Sequence, residues 1–377
     1  MTRMKKGLAA LAAACFLFAG MEKAQAVVGI PDDVPGSTLL YPFFKVNPDR
    51  AGSPSDLDTL LVATNTDSET QIVHFVLWSA QSLHVYDFNV TLTGNDVFSC
   101  SLYDLILGSG CRNEGEVIAP APSAVAARLK DIVSGQLRGY ATADAVVRRT
   151  SQLPTERNYP RDFANVLVGH EYVVDLPLGS ATGLNAVSIE YVDGAVGGVL
   201  ADGHPAAPFT GLTPAEITGT GFFFLADGFL PSDGLERIDG REGDIAQTGD
   251  ADTIQWSEIV RYFTISQPSI KVNTELWVWK DLNHPGLQVN ISVYDEAENF
   301  HSVGLDLPFE VNFRNVGDLI TPGAPGGWFR IPFSVDPNVV PGGIQSVAFS
   351  LQLANDNDAT LRWDAIFPAH RQYTDYR

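Results

Sequence analysis

The sequence predicts a mainly β protein built from antiparallel, sandwich-like sheets. Short apolar runs recur along the chain, and Gly, Pro, Asn and Asp residues separate them. Gln71–Trp78 is apolar on both faces, which is typical of a central strand covered on two sides. Leu287–Asp295 alternates apolar and polar residues, as a strand with one packed and one solvated face does. We predict two closely packed β domains, residues 27–155 and 156–377, with one short helix.

The first domain is expected to contain six strands. Pro42 marks the first of them as an edge or terminal strand, because proline cannot donate to a β ladder. Turn residues such as Gly94-Asn95-Asp96 separate neighbouring strands. The predicted strands are Ser37–Phe44, Leu57–Asn65, Gln71–Trp78, Leu83–Leu92, Val97–Leu107 and Gly139–Val147.

The single helix is expected near residues 123–134. Ser123 follows a proline and is a suitable N-cap residue, and Gly135 is a suitable helix terminator. One apolar stripe at helical spacing consists of Val125, Leu129, Ile132 and Val133. We expect this stripe to pack on a sheet.

A polar segment, Arg148–Asp162, contains two prolines and is the predicted domain boundary. The second domain then repeats the pattern of strands and turns. Its predicted strands are Asn165–Asp175, Asn185–Val192, Gly219–Leu225, Trp256–Ser266, Val272–Lys280, Leu287–Asp295, Ser302–Val311, Trp328–Ser334 and Ile344–Leu353.

Residues 1–26 have the pattern of a cleavable export signal. A basic start precedes the apolar run Gly7–Gly20, and Ala24-Gln25-Ala26 forms a small-x-small cleavage site. We therefore expect cleavage after Ala26 and export to the periplasm or the outside of a bacterial cell. No later stretch contains 18 consecutive apolar residues, so we expect no transmembrane segment.

The predicted mature chain is strongly acidic. Removing residues 1–26 takes away four Lys or Arg residues and one Glu, which leaves 20 basic and 44 acidic residues and a formal charge of −24. Such a charge repels nucleic acid and anionic lipid, so we expect no nucleic-acid partner. High solubility in an exposed setting explains the same charge.

Two cysteines, Cys100 and Cys111, remain in the predicted mature chain. An isolated pair in an oxidising compartment is most simply a disulfide. A redox or metal-binding pair would need CxxC spacing or a nearby histidine, and neither is present.

Several phrases carry a resemblance to other proteins. They are TLLYPFF, ATNTDSETQIVHFVLW, DFNVTLTGNDV, VGHEYVVD with NAVSIEY, TELWVWKD and ISVYDEAEN. Together they resemble a group of secreted bacterial β-rich proteins of unknown function. The resemblance implies export and a β fold, and it implies no activity, cofactor or catalytic residue.

The sequence contains no recognisable catalytic motif. His170-Glu171 does not complete HExxH, because position 174 is Val and the surroundings are strand-like. No nucleophile elbow, P-loop or Rossmann glycine pattern is present. Paired carboxylates could still hydrolyse a glycosidic bond, and Glu190, Glu275 and Asp295 are the strand-borne candidates.

A glycine-rich acidic segment, Asp227–Asp252, is the candidate cation site. It contains eight acids among five glycines, with only Arg237 and Arg241 opposing them. Hard oxygen ligands on a flexible loop suit calcium, although the spacing does not match an EF-hand. The alternative is a solvated acidic loop. The candidate ligands are Asp233, Asp239, Asp244, Asp250 and Asp252.

Period-two alternation places Glu275, Trp277, Trp279 and Asp281 on one face of a strand. Two indoles flanked by acids can form a stacking platform for a glycan, or a contact surface for a protein partner. The alternative is that both tryptophans lie in the core, where large aromatic side chains usually pack.

These observations favour an exported, non-catalytic cell-envelope or extracellular protein that acts by binding or as structure. The alternative is a carbohydrate-active protein, either a glycan-binding module or a glycoside hydrolase. Exposed aromatic side chains would favour binding, and carboxylates that converge in a cleft would favour an enzyme.

Overall fold

The computed structural model describes most of the chain from residue 35 onward. The described residues are 35–49, 57–132, 134–152, 160, 162, 164–175, 180–189, 254–267, 271–280, 287–308, 311–320, 325–335, 346–355 and 362–373. The export signal (1–26), the predicted strand Gly219–Leu225 and the acidic segment Asp227–Asp252 lie outside them.

The described residues are mainly strands, as the sequence predicts. The first group of strands comprises β1 (Thr38–Val46), β2 (Asp58–Asn65), β3 (Gln71–Ser79), β4 (His84–Leu92), β5 (Val97–Ser101), β6 (Cys111–Asn113), β7 (Glu116–Ile118), β8 (Leu137–Val146), β9 (Leu167–Asp175), β10 (Ser180–Asn185) and β11 (Val187–Ile189). The second group comprises β12 (Ile254–Phe263), β13 (Ile265–Ser266), β14 (Lys271–Lys280), β15 (Leu287–Asp295), β16 (Phe300–Leu307), β17 (Val311–Asn315), β18 (Gly326–Val335), β19 (Ser346–Asn355), β20 (Arg362–Pro368) and β21 (His370–Tyr373). The two described α-helices are α1 (Leu102–Leu107) and α2 (Ala124–Leu129).

Four antiparallel sheets form two sandwiches. Sheet 1 has the order β11-β1-β8-β3-β4, and sheet 2 has the order β10-β9-β2-β5. Sheet 3 has the order β13-β14-β19-β20, with β17 also paired to β14, and sheet 4 has the order β16-β15-β18-β12-β21. Sheets 1 and 2 make the first sandwich, and sheets 3 and 4 make the second.

Three apolar clusters show how the sheets stack. One cluster fills the space between sheets 1 and 2, and another fills the space between sheets 3 and 4. The third joins the two sandwiches, because residues of sheet 1 such as Trp78 meet residues of sheet 3 such as Trp277. Residues 32–377 accordingly form one compact unit.

Strand β3 confirms the prediction of a strand covered on two sides. It lies between β8 and β4 in sheet 1. Phe75 contributes to the core of the first sandwich, whereas Val76 and Trp78 contribute to the cluster between the sandwiches. An apolar side chain is therefore needed on both faces, and the continuous apolar run follows from this position.

Pro42 does not mark an edge strand, because β1 lies between β11 and β8. The β1–β8 register shifts between Tyr41 and Phe44, so one extra residue of β1 is accommodated there. A bulge lets a strand inside a sheet tolerate a proline, since the local ladder is already interrupted.

The helical segments differ from the prediction in two places. The expected strand Val97–Leu107 ends at Ser101, and α1 follows. The Ser101 hydroxyl caps this helix by accepting a hydrogen bond from the Asp104 backbone N–H. The one predicted helix is present as α2 but ends at Leu129, so that Ile132 is 99% exposed rather than packed on a sheet.

The two sandwiches do not divide the chain at residue 155. Strands β9, β10 and β11 complete sheets 1 and 2, so the first sandwich extends to Ile189. The second sandwich begins at β12. The sequence predicts one strand over Asn185–Val192, but in the described residues this run contains the end of β10 and a separate strand, β11.

The structure joins Cys100 to Cys111, with their Cα atoms 5.6 Å apart. This bond attaches β5, at the edge of sheet 2, to the small ribbon formed by β6 and β7. None of the helices in the described part of the chain is long and apolar enough to span a membrane.

Breaking the Cys100–Cys111 bond should lower the free energy of unfolding by about 2–3 kcal/mol, because the bond restricts a short loop in the unfolded chain. Urea unfolding of the double variant Cys100→Ser/Cys111→Ser measures this loss. Reductant should destabilise the wild type and leave the double variant unchanged. Free thiols in the native oxidised protein would contradict the pairing.

Candidate functional site

Trp277 and Trp279 lie between the two sandwiches and not on the surface. Each is 1% exposed. The Trp277 ring meets Phe43 of β1 edge to face at a centroid distance of 4.8 Å, and it stacks on Phe313 at 4.9 Å. A stacking platform for a glycan requires exposed indoles, so that interpretation of Trp277 and Trp279 is wrong. Both side chains lie in the core, as the alternative interpretation expected.

Glu275 holds the two sandwiches together instead of facing a ligand. Its carboxylate forms an ion pair with Arg138 of β8 and accepts a hydrogen bond of 3.1 Å from the Trp277 indole N–H. The Arg138 guanidinium also lies 5.1 Å from the ring centres of both Trp277 and Phe313. Asp131 lies 3.7 Å from the other terminal nitrogen of Arg138, so two carboxylates and two aromatic rings surround this charge, while its buried Nε has no hydrogen-bond partner. Asp281 lies outside the described residues.

The five candidate calcium ligands lie outside the described residues. They are Asp233, Asp239, Asp244, Asp250 and Asp252. Within the part of the chain that the structure describes, no group of three or more His, Cys, Asp or Glu side chains could hold a metal ion.

His170 and Glu171 point to opposite faces of β9, as neighbouring strand residues do. His170 lies within hydrogen-bonding distance of Asn185, whereas Glu171 is fully buried. Burial raises the pKa of Glu171 well above its ordinary value of 4.5, and the Phe43 backbone N–H opposes this only in part. Phe43 belongs to the irregular part of β1. Burial therefore favours the protonated, neutral form of Glu171.

A row of polar side chains crosses sheet 1 on the face that carries Val76 and Trp78. Thr38 and His74 are both register partners of Asp144, and the Thr38 hydroxyl donates to the Asp144 carboxylate. Burial lowers the pKa of His74, although the carboxylates of Asp144 and Asp87 oppose this effect.

This row lacks the order of a catalytic triad. In a triad the histidine lies between the acid and the hydroxyl nucleophile, so that it can take the hydroxyl proton. Here Asp144 lies between Thr38 and His74. The arrangement provides hydrogen bonds for buried polar groups and gives Thr38 no histidine as a base within the row.

The outer face of sheet 4 carries an exposed aromatic row. Phe300, Tyr294 and Trp328 occupy directly paired positions on β16, β15 and β18. The rings of Tyr294 and Trp328 stack at 4.1 Å with an interplanar angle of 11°, and Phe300 lies 5.3 Å from Tyr294. Phe300 is 59% exposed, while the other two are partly exposed. This is the candidate interaction surface.

The sequence could not identify this surface, although it predicts the strands that build it. Tyr294 and Phe300 follow each other closely, but Trp328 is far along the chain. Only the pairing of β15 with both β16 and β18 brings the three side chains into one row. The one signal of this surface in the sequence is Tyr294, an aromatic residue at an outward position of an alternating strand.

Comparisons with known proteins identify no family for this chain. No family model matches it, and no curated protein shows a significant match. The resemblance to secreted bacterial β-rich proteins therefore stays a prediction.

The substitution Trp277→Ala should lower the free energy of unfolding by about 3–5 kcal/mol, because it opens a cavity between the sandwiches. The loss should be larger than that of Phe367→Ala, which removes a side chain that is 45% exposed. Urea unfolding measures both variants. Equal, small losses would contradict the burial of Trp277.

The substitution Glu171→Gln should change the pH dependence of stability. The folded protein keeps Glu171 protonated to a higher pH than the unfolded chain, so the free energy of unfolding should fall as pH rises above about 4.5. The glutamine variant should lack this decline and be more stable than the wild type near neutral pH. Urea titrations between about pH 4 and pH 9 test this.

The matched control for this test is Glu69→Gln, which removes a carboxylate from an exposed position. It should leave the shape of the pH profile unchanged. Identical pH profiles for the wild type and Glu171→Gln would contradict a buried, neutral Glu171.

Proposed function

We propose that this chain is an exported protein of the bacterial cell envelope or the extracellular space that acts by binding or as structure, without catalysis. The observation that carries the proposal is the exposed row of Phe300, Tyr294 and Trp328. Exposed aromatic side chains in one contiguous row are typical of interaction surfaces.

Export is supported by two independent features of the chain. The first is the basic, apolar and AQA pattern of residues 1–26. The second is the bond between Cys100 and Cys111, since disulfides persist mainly in oxidising compartments.

The joint between the sandwiches supports a scaffold role. Arg138 and Glu275 come from different sandwiches and pair in a largely buried setting, so the two sandwiches are held in one arrangement. A rigid stack presents its outer faces in a fixed relation, which lowers the entropy lost when such a face binds.

A carbohydrate-active protein is the second candidate, and the same aromatic row favours glycan binding over glycan hydrolysis. Of the three acids considered for hydrolysis, Glu275 is engaged with Arg138. Asp295 lies at a turn where the Asn299 side chain and backbone N–H hold its pKa below the ordinary value. A general acid needs a raised pKa, so Asp295 does not suit that role. Glu190 lies outside the described residues.

Expression of the full chain with its own first 26 residues in a bacterial host tests export. We expect the folded protein outside the cytoplasm with Val27 at its N-terminus, because cleavage should follow Ala26. Cell fractionation and intact-mass measurement provide the readout. A matched control carrying Ala24→Glu should stay uncleaved. Full-length wild-type protein confined to the cytoplasm would contradict export.

A further inference from the structure

We propose that the outer face of sheet 4 binds an uncharged polysaccharide, with the aromatic row at one end of the binding surface. This inference rests on the proposed binding function and assigns to it a surface and a class of ligand.

The shape of the aromatic row determines which contacts it can offer. Neighbouring strands are about 4.8 Å apart, and the rings of Tyr294 and Trp328 stack nearly parallel at 4.1 Å. These rings therefore stand upright, side by side, on the sheet. Phe300, at the edge strand, ends the row and exposes more of its surface than any other large apolar side chain on this sheet among the described residues. The row is thus a ridge with an apolar end.

A strip of small polar residues, here called the trough, lies beside this ridge, two and four residues along the strands. Ser292 pairs with Ser302, and Asn290 pairs with Gly304, all on the outward face of β15 and β16. Ser302, Asn290 and Gly304 are exposed. A side chain at Gly304 would meet only the Gln288 amide within 4 Å, at 3.7 Å, so the position is open.

Two arginines border the ridge and the trough. Arg261 pairs with Trp328 in register and is exposed, and Arg330 pairs with Ser292. The Arg330 Nε donates to the Ser257 hydroxyl at 2.9 Å, which directs the side chain and leaves its terminal N–H groups for other acceptors. None of the ion pairs found between described residues involves either arginine.

The charge of the chain distinguishes among polymeric ligands. The chain carries a formal net charge of −21, which opposes the approach of a polyanion. At the face itself Arg261 and Arg330 lie among the exposed acids Asp306 and Glu296, so the local charge is mixed and favours neither a polyanion nor a polycation. An uncharged polymer meets no such barrier.

The side-chain chemistry then selects a glycan over a protein partner. Hydroxyl, amide and guanidinium groups supply donors and acceptors for sugar hydroxyls, and the aromatic ridge supplies an apolar contact. Aromatic residues and arginine are enriched at protein–protein interfaces and serine is depleted there, so it is the serines and the glycine of this trough that favour a glycan.

Affinity electrophoresis of the full exported chain in gels containing hydroxyethyl cellulose, galactomannan or dextran tests the proposal. We expect retardation by at least one of these neutral polymers. Phe300→Ala and Arg261→Ala should each weaken retardation about tenfold, equivalent to roughly 1.4 kcal/mol. Both side chains are exposed, so neither change should disturb folding.

A blocking variant separates loss of binding from loss of folding. Gly304→Ile adds a β-branched side chain that suits a strand and fills the trough without removing a contact. It should abolish retardation while leaving the melting temperature unchanged or raised. Tyr172→Ala, which removes an aromatic side chain that is 41% exposed on sheet 2, should bind as the wild type does.

Charged probes and salt complete the test. Retardation by a neutral polymer should persist at high salt, because it involves no ion pairing. No retardation by any of the three neutral polymers would overturn the glycan assignment while leaving export and binding of another partner intact. Retardation by alginate or polyglutamate alone would also overturn the glycan assignment. So would a Gly304→Ile variant that is retarded as strongly as the wild type.

Discussion

The ion pair between Arg138 and Glu275 is the interaction on which the arrangement of the two sandwiches depends. Removing a charge from water is costly, and a buried pair is tolerated only when both members stay matched. Here Trp277 contacts both members, since its indole N–H donates to Glu275 and its ring faces the guanidinium. Sliding one sandwich over the other would separate Arg138 from Glu275 and leave it with Asp131, which lies 3.7 Å away in its own sandwich. The pair therefore favours one register of the joint.

For function, the consequence is that some aromatic side chains are buried and others remain available at the surface. Trp277 and Trp279 of β14 are buried inside the protein, where they pack sheet 3 against sheet 1. The row of Phe300, Tyr294 and Trp328 stays at the surface of sheet 4. The joint orders the sheets as a stack, so sheets 2 and 4 each have an outer face. Among the described residues, only the outer face of sheet 4 combines a row of stacked rings with two arginines.

The sequence predicted local features well and contacts between distant strands poorly. Apolar residues on both faces of Gln71–Trp78 correctly indicated a doubly covered strand, because that pattern reflects burial directly. Alternation also placed Trp277 and Trp279 on one face of the strand. Such a pattern does not show whether that face packs against a second sheet or contacts water. The aromatic row escaped prediction because it depends on the register of three strands, which alternation does not encode.

Calorimetry of the wild-type chain tests the central claim, that the Arg138–Glu275 joint makes one unit of two sandwiches. We expect a single transition whose calorimetric and van't Hoff enthalpies agree, because neither sandwich should unfold while the other keeps its apolar face covered. The variant Arg138→Ala should lower the temperature of this transition or split it in two. Two separate transitions in the wild type, unaffected by that substitution, would contradict the coupling of the two sandwiches.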